Sequence, residues 1–322
     1  MCAVVMCLVI SGAAASAHAA DNGAWSIFPT TISGQPNRPV FDLALSPGID
    51  LTDSVTVTNR TDAQLTFNVY PADDVTTADG SFSLKSRFDG KEQLGKWVTI
   101  DVNQVTLPAQ SSQDIPFAIH VPLGASPGDY AGGIVVENVA TTSTVNPQGV
   151  NVNVVQAVGT RIYARVEGVL APGLRITQLA IDTKTSVGSL FGATLGGSVV
   201  FTIVNTGNIR LTPTATLKVA SWWGSDQLNG IKVPELLPGS SITLREPFTG
   251  VRPFGPIKAT VTVKADGIDI HASTQRLEFP WALLGCLLLV FVALVVWRKR
   301  RRKRDTVGIV GADVGLRPNE VP

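Results

Sequence analysis

The sequence predicts an all-β chain: two β-sandwich domains in the middle and a transmembrane helix near the C-terminus. Three observations predict it. Apolar residues between Trp25 and Leu277 recur with period two, the repeat of a strand with one buried face. The strand-and-turn pattern of the first half returns in the second. Near the C-terminus, nineteen residues carry no charge, and seven basic residues follow them at once.

Residues 1–19 are expected to be a secretory signal. An apolar run, Ala3 to Ile10, leads to small residues, and Ala17-His18-Ala19 places cleavage after Ala19. No Lys or Arg precedes the run, which leaves the true translation start open. Cys7 lacks the Leu-x-x-Cys setting of a lipoprotein signal, so no lipid is expected on it.

The first sandwich is expected over 25–167. Val55 and Val57 alternate with polar residues, and so do Leu65, Phe67 and Val69 after the turn Asn59-Arg60-Thr61-Asp62. Ile115, Phe117, Ile119 and Val121 form another alternating strand. Ile134 to Val136, Val150 to Val158 and Ile162 to Val166 supply more, with a turn at Asn146-Pro147-Gln148-Gly149. Many short strands with Pro and Gly turns fit an immunoglobulin-like sandwich. Gly132-Gly133 would allow a bulge or a close backbone approach at a strand start.

The second sandwich is expected over 169–278, beyond a boundary near Gly168 to Gly173. Phe201-Thr-Ile-Val-Asn205 repeats Val55-Thr-Val-Thr-Asn59, and Leu237-Pro238 repeats Leu107-Pro108. Asn59 and Asn205 each precede a polar turn, where an Asx turn is the plain expectation and carbohydrate recognition the alternative.

Residues 279–297 are long enough to span a bilayer core at ~1.5 Å per helical residue. Trp281 and Trp297 stand where an aromatic belt would place them, and Pro280 suits a first turn. The basic run would hold the tail, 298–322, in the cytoplasm, leaving 20–278 outside a single-pass cell-membrane protein.

Composition narrows the function. The chain holds 322 residues, with 26 Lys and Arg against 25 Asp and Glu. Eight of the basic residues lie beyond 297, against three acidic ones. A basic run abutting a membrane faces anionic lipid, so no nucleic-acid partner is expected. The cysteines are Cys2, Cys7 and Cys286. The sandwiches therefore hold no disulfide and no thiolate metal site. His120 and His271 stand too far apart in sequence to suggest a metal pair, and no nucleophile elbow or phosphate loop is readable. Asp73, Asp74 and Asp79-Gly80 are expected to form a solvated acidic hairpin, with calcium as the alternative. No cofactor and no catalytic residue are assigned.

The first sandwich carries a family resemblance. Phe41-Asp-Leu-Ala-Leu-Ser-Pro-Gly48 leads into Ser54-Val-Thr-Val-Thr-Asn-Arg-Thr61; Val105-Thr-Leu-Pro108 and Ile115-Pro-Phe-Ala-Ile-His-Val-Pro122 follow, and Ser126-Pro-Gly-Asp-Tyr-Ala-Gly-Gly-Ile134 closes the stretch. This resembles the N-terminal domain of the bacterial WxL-interacting proteins over roughly residues 25–165. The resemblance implies a peptidoglycan-binding first domain, a second domain that engages a secreted surface protein, and a transmembrane anchor in the lipid bilayer through 279–297. It names no binding residue.

Three residues are candidates for partner contact. Tyr130 could stack on a sugar or close the sandwich corner. Trp222 and Trp223 are adjacent, so in a regular strand one would fill the core and the other face solvent or a partner; packing of both inside is the alternative. Three functions compete. One is a membrane-anchored cell-wall binding protein. Another is an exported assembly factor for surface proteins, which an exposed edge strand would favour. The last is a cell-wall enzyme, which would need converging carboxylates or a nucleophile.

Overall fold

The computed structural model describes residues 21–33, 37–77, 80–140, 142–145 and 151–307. The expected signal, the turn at 146–149 and Asp79 lie outside the described residues. The chain divides into two compact units. One comprises 1–175 with 204–212 and 234–242; the other comprises 176–203, 213–233 and 243–322.

The first unit is an immunoglobulin-like sandwich. Its elements are β1 (Trp25–Pro29), β2 (Phe41–Leu45), β3 (Asp50–Asn59), β4 (Leu65–Thr76), β5 (Phe82–Leu84), the single turn α1 (Leu94–Trp97), β6 (Val98–Thr99), β7 (Gln104–Leu107), β8 (Ser111–His120), β9 (Gly128–Asn138), β10 (Thr142–Val145), β11 (Asn151–Val154) and β12 (Ala157–Val166). One sheet runs β1-β3-β8-β6; the other runs β2-β12-β9-β4-β5, with β7 also on β4. Period-two alternation aims Val55, Val57, Ile115, Phe117 and Ile119 inward from one sheet. Phe67, Val69, Ile134, Val136 and Ile162 meet them from the other. Each such side chain contributes about 1.5–3 kcal/mol by leaving water. Aromatic edges fix the fit: Phe41 meets Phe117 edge-on at 5.2 Å.

The second unit holds all or most of each remaining element: β13 (Leu174–Lys184), the single turn α2 (Val187–Leu190), β14 (Leu195–Asn205), β15 (Thr214–Ala220), β16 (Ser225–Lys232), β17 (Ser241–Val251), β18 (Gly255–Ala265), β19 (Ile268–Glu278) and α3 (Trp281–Val307). The sheets are β13-β14-β17 and β16-β15-β18-β19. Val199, Phe201, Ile203, Leu217, Val219, Phe248 and Val261 are buried in this unit. Within α3, Trp281–Arg301 is long and apolar enough to cross a membrane by length and composition, with a mean hydropathy of 2.3.

The repeated asparagines have a common structural job. Asn59 Oδ1 accepts the Thr61 N–H, the expected Asx turn. Its Nδ2 also donates to the Ala63, Leu107 and Pro108 carbonyls. Asn205 Oδ1 accepts the Gly207 N–H, while Nδ2 donates to the Ile209 and Leu236 carbonyls. Both residues are fully buried, and each ties its own turn to the chain at the Leu-Pro turn, Asn59 to Leu107 48 residues on and Asn205 to Leu236 31 residues on. Neither is placed to meet a carbohydrate.

The acidic hairpin expectation is corrected. Asp73 and Asp74 lie in β4, and Asp73 is 3% exposed. Its carboxylate accepts the backbone N–H groups of Glu92, Gln93 and Gly95, tying down the chain that enters α1. A buried carboxylate stands here because donors satisfy it. Burial pushes the neighbouring Asp74 carboxyl up to about 6, against a partly offsetting hydrogen bond to its own backbone and with the Asp73 charge assisting.

Candidate functional site: an open strand edge

The hairpin of β9 and β12 pairs from Ala157 opposite Glu137 to Val166 opposite Gly128. Gly132 and Gly133 serve close approach, not a bulge, because the register through them is unbroken. A Cβ on Gly132 would stand 2.7 Å from the Ala72 carbonyl oxygen.

On its other side β12 is covered by β2 alone, and only from Ile162 to Val166. Among the described residues, Ala157–Arg161 therefore has a ladder partner on one side. β1 of the opposite sheet passes near β12 without pairing to it. Past the sandwich, β10 and β11 pair with each other in a two-stranded ribbon, Thr142 opposite Val154. The Asn138 N–H donates to the Gln156 carbonyl at 2.9 Å and joins the ribbon to the main hairpin. Such an edge presents unpaired N–H and C=O groups that another strand can take up.

A groove of about 410 Å³ lies beside this edge, on the outer face of the larger sheet. Leu84, Val135, Ala157 and Gly159 line it together with Tyr70, Arg87, Phe88 and Glu137. Arg87 Nε sits 3.1 Å from the nearly buried Glu137 carboxylate, which also accepts from Asn68 Nδ2 at 3.3 Å. The Arg87 guanidinium stacks 4.5 Å from the Phe88 ring centroid. Burial pushes the Tyr70 hydroxyl up to about 12, and the Glu137 charge adds to the effect.

The candidates named from sequence lie elsewhere. Tyr130 spends its hydroxyl on the Ser126 carbonyl at 2.9 Å and packs its ring 4.5 Å from Trp97. That is the corner-closing geometry. Trp222 and Trp223 are not on a strand. They occupy the turn between β15 and β16, held by the Ser221 N–H donating to the Gly224 carbonyl. Strand alternation does not apply there, so neither fills the core, and they are 69% and 59% exposed. Trp223 leans on Phe254 at 4.8 Å, within the same unit.

His120 pairs with Asp50 at 2.7 Å, and His271 is exposed on β19. Among the described residues no group of three or more His, Cys, Asp or Glu could hold a metal.

The comparisons follow the fold. Residues 31–138 match the family model described as WxL Interacting Protein, peptidoglycan binding domain. No curated protein matches the chain. Among solved structures, a chaperone–tip adhesin complex of CFA/I fimbriae biogenesis is 14% identical, with 80% of this chain and 99% of that one covered and a TM-score of 0.36. The E. coli chaperone DraB is 13% identical over 74% and 94%, with a TM-score of 0.32. A chaperone–tip pre-assembly complex from the Csu pili of Acinetobacter baumannii is 8% identical over 72% and 94%, with a TM-score of 0.34. At such identities and scores the likeness carries no conclusion about this chain.

These findings correct the family expected from sequence. The family match stops at residue 138 and covers about a third of the chain, too little to carry that family over the whole of it. The chain-wide reading as a WxL-interacting, peptidoglycan-binding cell-wall protein is withdrawn. The single-pass cell-surface localisation that accompanied it is withdrawn too.

Proposed function

We propose that the chain is an exported, non-enzymatic assembly factor that holds a secreted surface protein by strand addition. One observation carries this reading: among the described residues, Ala157–Arg161 of β12 pairs on one side only, and the β10–β11 ribbon follows on from that edge. Main-chain hydrogen bonds would supply affinity, and the side chains beside the edge would supply selectivity. The test is made in the producing cell, comparing the wild-type chain with a Val154→Pro/Ala157→Pro variant. Proline removes the donors a strand needs. Quantitative surface proteomics should show selective loss of one or more exported proteins in the variant, while its melt stays within a few degrees of wild type. An unchanged surface proteome would reject the reading.

Exposure of Trp222 and Trp223 supports a second contact surface on the other unit. Alanine at either should weaken partner capture without shifting the melt. The domain limits 25–167 and 169–278 are proposed as independently folding, redox-insensitive pieces, each with a cooperative β-type melt. Lipid contact through 279–297 is a separate proposal, resting on the length and composition of α3 and not on the withdrawn topology. Alkaline carbonate extraction should leave the chain in the pellet; release into the supernatant would reject it.

A further inference from the structure

We propose that the groove beside the open edge reads one side chain of the added strand, and that it selects an uncharged aromatic one. The inference rests on strand addition at β12 and names what that strand must carry. The outer face of β12 offers only Ala157 and Gly159 along the groove. A Cβ on Gly159 would stand 2.6 Å from Leu84 Cδ1, so the missing side chain is what lets Leu84 form the floor. An incoming strand meets no bulky outward side chain at Ala157 or Gly159; the next outward residue, Arg161, does not line the groove and lays its guanidinium over the Phe82 ring. A long, flat side chain can therefore lean across β12 onto Leu84 and Val135, a reach that suits aromatic residues.

Charge decides against the alternatives. The groove's cation, Arg87, is paired with Glu137, and Glu137 is further tied to Asn68. An incoming Lys or Glu would lose water and find its counter-charge already engaged. An aromatic ring instead meets Phe88, which is 82% exposed and already backed by the Arg87 guanidinium. The Tyr70 hydroxyl and the Ser83 and Ser86 side chains at the groove give a polar ring tip partners.

The experiment uses the full chain and a labelled nonapeptide of alternating Thr and Val with terminal lysines. Its central residue is Phe, Tyr, Lys or Glu, and binding is followed by fluorescence anisotropy. The Phe and Tyr peptides should bind at least tenfold more tightly than the Lys and Glu peptides. Phe88→Ala, at an exposed position, should reduce that difference to threefold or less with the melt unchanged. If all peptides bind alike, if a charged centre is preferred, or if Phe88→Ala leaves the preference intact, the groove proposal is overturned while strand addition stands. If no peptide binds, both fall.

Discussion

Two inner strands of the first unit, β8 and β12, are covered along only part of one side among the described residues, and they treat the gap differently. β8 pairs with β3 along its whole length but with β6 only at Ile119 and Ala118, so Ser111–Phe117 is open on one side among the described residues. That stretch carries Asp114 and Pro116, both exposed. Asp114 is held by a hydrogen bond from Thr56, and Pro116 has no N–H to give. Charge and proline are the ordinary means of blunting an edge. The open part of β12 reads Ala157-Val-Gly-Thr-Arg161, with no proline; its one charge, Arg161, stands next to the part covered by β2 with its guanidinium over the Phe82 ring, and a ribbon continues the strand at the other end. The two edges stand over the same core. The difference is therefore chemical and local to the rim, and it separates the open stretch of β12 from that of β8.

The largest effects should show that the core supports both edges equally. Ile115 beneath β8 and Ile162 beneath β12 are 1% and 0% exposed. Ile115→Ala and Ile162→Ala should each cost about 2–5 kcal/mol in denaturant melts. A cost at Ile162 well under 1 kcal/mol would mean that β12 is loosely held, and would break the comparison. Next in size, Asn59→Ala removes three donations to carbonyls at the end of β3, opposite the start of β8. It should cost about 2–4 kcal/mol, since buried carbonyls lose their partners.

A smaller effect tests the guard itself. Asp114→Val with Pro116→Val should make β8 resemble β12. Sedimentation should then show self-association strengthened by about tenfold or more over wild type. Unchanged sedimentation would mean that something other than these two residues closes that edge.

Smallest is a pH effect in β4, which shares the sheet of β12. The Asp74 carboxyl titrates at about 6 in the fold, against about 3.9 in an unfolded chain. Between those values the folded state holds more protons than the unfolded one. Asp74 therefore adds stability as pH falls from about 7 toward 4, and withdraws it as pH rises through about 6. Asp74→Asn should abolish that part of the melting profile. A profile identical to wild type would remove Asp74 as its source.

Sequence reveals these regions unevenly, for physical reasons. Period two is legible wherever one face is buried, so Val55, Val57 and the run from Ile115 to Val121 announce their strands. The repeated Asn-Thr turns were equally plain, although the reach of each side chain to a distant Leu-Pro turn leaves no local mark. Alternation does not reach Trp222 and Trp223, because β15 ends at Ala220, and Gly224 is the local sign of the turn. Asp73 gave a usable signal, an acid inside an alternating strand, since a buried carboxylate implies donors. Those donors come from about twenty residues later, where nothing local announces them. The open edge has no sequence signature at all, because it depends on how far β2 extends.

The central claim is most directly tested by photo-crosslinking in producing cells. A benzoylphenylalanine placed at Ala157, on the open edge, is compared with one at Gln113, on the guarded edge; both positions are exposed. The account predicts a discrete adduct with a secreted protein from position 157 and none from 113. Equal adducts from both positions, or none from 157, would contradict it.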